Sequence, residues 1–129
     1  MSGIGLVALV VNNYDVALRF YVDVVGFDLI EDTDQGEGRR WVVVGPPEGR
    51  GAALLLARAD TEAQRARVGD QTGVRVFGFL ETGDFSSDHR RMREAGVTFL
   101  EEPRKESYGT VAVFEDLYGN RWDLIQPAH

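Results

Sequence analysis

The chain predicts an α+β fold built from two β-α-β-β-β units, and three observations predict it. One order of signals occurs twice along the 129 residues: strand, helix cap, helix, terminating glycine, three strands. Adding 70 to a residue number carries the first occurrence onto the second without a gap: Leu6 onto Val76, Tyr14 onto Asp84, Gly26 onto Gly96, Trp41 onto Val111, Ala53 onto Asp123. Clusters of turn-forming residues divide the apolar runs.

The elements follow in order. LVALVV at 6–11 is short, apolar and half valine, the pattern of a buried strand. Asn12 and Asn13 offer side-chain acceptors to the free amides of a first helical turn. A helix is expected over 14–25, with Val16, Phe20 and Val24 at helical spacing and Gly26 ending it. Strands are expected at 27–31, 39–45 and 52–57, separated by the turn signals DTDQGEG and PPEGRG. A short helix at 61–68 connects the halves, and the order restarts with a strand at 74–80. Asp84 caps a helix to about Ala95, Gly96 stops it, and strands at 97–102, 110–114 and 121–126 complete the second half. One helix cannot cover both faces of a four-stranded sheet, so each sheet is expected to curl and offer a concave surface.

A chain of this length makes one domain over 1–129: module one about 4–58, a connecting helix about 60–70, module two about 73–127. Hydrophobic content of 43% and charged content of 27% describe a globular protein. The formal charge of −7 argues against nucleic acid or an anionic membrane as partner. Without cysteine there is no disulfide, thiolate nucleophile or cysteine-ligated metal. The N-terminal run has no basic leader or cleavage pattern, and no run reaches the roughly 20 apolar residues of a membrane helix. The cytoplasm is the expected compartment.

Three stretches carry a family resemblance: VALVVNNYDVALRFYVDVVGFDLIED at 7–32, FGFLETGDFSSDHRRMREAGVTFLEEP at 77–103 and GTVAVFEDLYGNRWDLIQP at 109–127. Within them stand Phe20-Tyr21, Gly26-Phe27, the AGV of Ala95 to Val97, and F-x-D-x-x-G-N-x-x-D-L from Phe114 to Leu124. So read, the chain resembles the vicinal oxygen chelate superfamily, which includes glyoxalases, bleomycin- and fosfomycin-resistance proteins and extradiol dioxygenases. The resemblance implies two βαβββ modules forming curled mixed sheets around a cleft, and usually a homodimer. In metal-using members a divalent ion is held by side chains on the first and last strands of each module. Carried over, those positions are Leu6, Ala53 (or Leu55), Val76 and Asp123, three of them hydrocarbon. One carboxylate is a poor site for a hard cation, and the two histidines, on the second helix (His89) and at the last position (His129), do not repair it. No cofactor is expected, and a divalent metal is disfavoured.

Strict alternation puts Asp123 on one strand face with Arg121 and Ile125, and Trp122, Leu124 and Gln126 on the other. Two readings of Asp123 stand: a cleft carboxylate that binds a ligand or takes a proton, and a structural carboxylate paired with Arg121, Arg75 or a backbone amide. Trp41 and Trp122, with Phe77, Phe79 and Phe114, offer flat walls to an aromatic ligand or simply core packing. Tyr108, Arg39, Arg40, Glu81 and Glu115 stand where a cleft rim is expected. The candidate ligand-binding set is Trp41, Phe79, Tyr108, Arg121, Trp122 and Asp123, with Asp123 also the candidate catalytic group. Gly119 and Asn120 read as a turn, Phe20 and Tyr21 as helix core, and the basic DHRRMRE run as solvated surface.

Two functions from different classes follow. The first is a bleomycin-resistance-like binder with a degenerate metal site that sequesters a hydrophobic or aromatic small molecule. The second is a glyoxalase- or dioxygenase-type enzyme (lyase, isomerase or oxygenase) using an atypical metal site or Asp123 as base.

Overall fold

Strand β1, Leu6–Val11, is followed at once by a capped helix, because Asn13 Oδ1 accepts the Val16 amide at 2.9 Å. In this computed structural model residues 1–128 are described, and the chain divides into two compact units, Met1–Val68 and Gly69–His129. His129, set aside above as a ligand, lies outside the described residues.

In the first unit, α1 (Tyr14–Leu18) widens into a π-helical segment, Arg19–Val25, that ends at Gly26 with φ of 100°. The expected apolar stripe of Val16, Phe20 and Val24 is not the one that packs. Tyr14, Ala17, Tyr21 and Val25 are buried, while Val16 is exposed. Both stripes have helical spacing, and the sheet takes the one that buries two tyrosines. Tyr14 gains a specific partner as well, since its hydroxyl accepts the Arg40 amide at 3.2 Å.

Strands β2 (Asp28–Gly36), β3 (Arg39–Gly45) and β4 (Ala53–Arg58) join β1 in the order β1-β4-β3-β2, with β1 and β4 parallel and the other pairs antiparallel. The sequence expects DTDQGEG to be a turn; instead β2 runs through it. Asp32 and Asp34 pair in register with Val42 and Arg40, and the turn shrinks to Glu37 and Gly38, both at positive φ. Arg40 explains the longer strand: its guanidinium meets both Asp32 oxygens (3.1 and 2.7 Å) and Asp15 at 3.0 Å. Thr61 caps the short α2, Glu62–Arg65.

The second unit breaks its first expected strand at Arg75, giving β5 (Gln71–Val74) and β6 (Val76–Glu81). Asp84 caps α3 (Phe85–Glu94), as expected, by accepting the Ser87 amide. The expected strand at 97–102 shortens to β7, Thr98–Phe99, and a strand that the sequence does not announce, β8 (Arg104–Glu106), follows it. Between them Glu101 substitutes for strand backbone, its Oε2 accepting the Val113 amide at 3.0 Å. Strands β9 (Gly109–Glu115) and β10 (Arg121–Pro127) finish a mixed sheet of order β6-β10-β9-β7, with β8 also on β9.

The α3 side of this sheet is an aromatic core. Phe77 meets Trp122 edge-on at 5.3 Å, Trp122 stacks on Phe114 at 6.3 Å, and Phe99 leads on to His89 and Phe85. Packing there leaves no room at Gly78, where an added Cβ would lie 2.6 Å from the Trp122 ring. Gly78→Ala is therefore expected to destabilise the protein by about 1–3 kcal/mol, read as a lower urea midpoint with unchanged slope.

Candidate functional site

Strand β10 alternates as its sequence requires. Trp122 and Leu124 are buried on the α3 side, and Asp123 and Ile125 are half-buried on the other. On the Asp123 side the register sets Phe79 of β6 against Asp123 and Val113 of β9 across from it. Phe79 is 65% exposed, a large aromatic surface left open beside a carboxylate. Further along, Arg104 of β8 pairs in register with Val111, which in turn pairs with Ile125. The result is an apolar stretch of Phe79, Val111, Val113 and Ile125 around Asp123, with Glu81 and Glu115 at its ends and an arginine at its far side.

That arginine is tied down. Arg104 Nε donates to Glu101 at 2.8 Å, a terminal nitrogen donates to Glu106 at 2.8 Å, and the Tyr108 side chain is a further partner. Asp123 is not tied. Its Oδ1 is buried without a hydrogen-bond partner, and among the described residues it forms no ion pair with Arg121 or Arg75. Burial pushes the Asp123 carboxyl above its ordinary 3.8; Arg104 opposes the shift and Glu101 adds to it. Because the native state then holds a proton that the unfolded chain has released, stability falls as pH rises from 3.8 through the raised value.

The candidates separate accordingly. Phe79 and Asp123 are neighbours, Arg121 lies exposed at the start of the same strand, and Tyr108 reaches the face through Arg104. Trp122 is buried in the α3-side core, away from Asp123. Trp41 belongs to the first unit, 37% exposed on β3. Arg39 and Arg40, placed by the sequence at a rim, are engaged by Asp60 and by Asp32 and Asp15. Sequence reasoning missed Glu101 and Arg104, which sit in a charged run without apolar periodicity; the Glu-x-x-Arg spacing was its one usable signal.

The four positions to which the resemblance assigns metal ligands do not form a ligand set. Leu6 and Ala53 stand side by side in register, hydrocarbon against hydrocarbon. Val76 faces Arg121 rather than Asp123, because β6 pairs with β10 two residues out of the register that Leu6 and Ala53 keep; a bulge at Phe77 then sets Asp123 against Phe79. Glu81 pairs with Ile125 and Glu115 with Arg121. Among the described residues no three His, Cys, Asp or Glu side chains gather to hold an ion. A hard divalent cation does not fit this donor set.

A family model for the Glyoxalase/Bleomycin resistance protein/Dioxygenase superfamily matches residues 3–124. The chain belongs to this superfamily. Over 121 residues it is 57% identical to an uncharacterized protein of Shewanella frigidimarina, covering 93% of this chain and 90% of that one. Among solved structures of superfamily-like fold, UcmS2 is 32% identical with a TM-score of 0.83, over 97% of this chain and 98% of its own. TnmS3, an antibiotic binding protein from Streptomyces sp. CB03234, is 31% identical with a TM-score of 0.78, over 99% and 98%. No helix among the described residues is long and apolar enough to cross a membrane.

Proposed function

We propose that this superfamily member binds an apolar, aromatic small molecule that carries a hydrogen-bond donor, and holds it without a metal ion. The observation that carries the reading is the buried, partnerless Oδ1 of Asp123 beside the exposed ring of Phe79. Leaving such an oxygen unmade costs about 1–3 kcal/mol, and a ligand N–H or O–H would recover it while the ring covers Phe79. The antibiotic-binding role of TnmS3, a relative at 31% identity, is consistent with this reading.

The test is a titration with a panel of aromatic antibiotics, followed by tryptophan fluorescence and calorimetry. Saturable quenching that Phe79→Ala weakens at least tenfold, with a negative heat-capacity change, is expected. No saturation by any compound up to millimolar concentration, or binding only after a divalent ion is added, would sink the proposal. A second reading, Asp123 as a general base, rests on the same raised carboxyl. Mass spectrometry showing turnover of a bound compound, lost in Asp123→Asn, would select it. We further propose a cytoplasmic homodimer. The exposed edge strand β2, with Leu29 and Ile30 open, supports self-association, and light scattering that finds only monomer would remove it.

A further inference from the structure

The DHRRMRE run lies on α3. α3 presents His89, Arg90 and Arg93 to a groove of about 660 Å³ whose opposite wall is Pro103 and Lys105, with Phe85 at its base. Lys105 lies on the α3 side of the sheet. It pairs with Thr110, which pairs with Gln126, and the Gln126 side chain accepts the Phe85 amide at 2.8 Å.

Three features set this groove apart from ordinary surface. Its cations come from two elements, helix and strand, held together by that anchor. Arg90, Arg93 and Lys105 form no ion pair among the described residues, whereas Arg39, Arg40, Arg58 and Arg104 are all engaged. In a chain of net charge −7, one acid, Glu94, joins the groove's lining. Unpaired like charges held near one another repel, and an anion between them removes that repulsion. The volume exceeds what an inorganic anion fills, and Phe85 and Pro103 give the remainder an apolar wall.

We infer that this groove is a second ligand site, separate from the Asp123 face, for a small phosphate monoester with an apolar substituent. Arg90, Arg93 and Lys105 hold the phosphate, and Phe85 and Pro103 receive the hydrocarbon part.

The experiment is an amide NMR titration of the full chain with phenyl phosphate, inorganic phosphate and phenol at constant ionic strength. Phenyl phosphate is expected to shift amides of 86–94 and 104–110 saturably, at least tenfold more tightly than inorganic phosphate, while phenol gives no saturable shift of those amides. Arg93→Gln and Lys105→Gln should each weaken phenyl phosphate about tenfold, Arg93→Lys less, and Asp123→Asn not at all; the dispersed spectrum of each variant reports its fold. Shifts that chloride reproduces, or Arg93→Gln and Lys105→Gln variants that bind like the parent protein, would overturn the assignment. Equal binding of phenol and phenyl phosphate, read at those amides, would overturn it as well. Loss of binding in Asp123→Asn would show instead that the anion occupies the other face.

Discussion

Asp116→Ala is expected to destabilise the protein by about 2–4 kcal/mol, read as a fall in the urea midpoint. Asp116 is buried at the turn that feeds β10, and its two oxygens satisfy three donors there: the Tyr118 and Asn120 amides at 2.9 and 2.8 Å and the Asn120 side chain at 2.9 Å. The backbone closes the same turn, with the Asp116 amide on the Asn120 carbonyl at 2.8 Å and Gly119, at φ of 99°, on the Asp116 carbonyl. Alanine leaves those buried donors without acceptors and frees the segment that sets the register of β10. Asp116→Asn keeps one acceptor and should lose less. A loss below about 1 kcal/mol for Asp116→Ala would mean that the turn holds without its carboxylate.

Asp123→Leu is expected to act in the opposite direction on stability, raising it at neutral pH by about 1–2 kcal/mol while abolishing donor-dependent ligand binding. Leucine removes a partnerless buried oxygen and adds hydrocarbon to a face already lined by Phe79, Val113 and Ile125. The pH dependence separates this from simple packing. The parent protein loses stability as pH rises from 3.8 through the raised carboxyl value, and the variant has no carboxylate there to ionise. Midpoints measured between about pH 3 and pH 7 should therefore converge toward the acid end and diverge toward neutrality. Asp123→Asn keeps the shape without the charge and should weaken aromatic ligands with a donor about tenfold, or 1.4 kcal/mol. Equal midpoints at every pH would show that Asp123 is already satisfied in solution.

Several strands and the helix limits were legible because local chemistry fixes them. Valine-rich runs at 6–11 and 39–45, caps at Asn13 and Asp84, and glycine stops at Gly26 and Gly96 all stand where the sequence puts them. Asn13 and Asp84 act on amides three residues away, a range that a sequence window spans. The candidate site was legible on one strand, where alternation alone divides Asp123 from Trp122.

Pairing between strands was not legible. β2 outlasts its turn signal because Arg40 crosses to Asp32, and β8 exists because β9 offers it an edge beside Glu101. The offset of 70 aligns each strand with its counterpart, yet the β6–β10 register gives Val76 to Arg121, and the Phe77 bulge then gives Asp123 to Phe79. The sequence by itself determined the order of elements, the duplicated plan, the family, and the hydrocarbon at three of four ligand positions. Only the tertiary structure decided which side chains meet: the bare Asp123 oxygen, the tethered Arg104, and three unpaired cations along one groove. The reason is range, since caps and periodicity act within a few residues, while register and burial are settled between strands far apart in the chain.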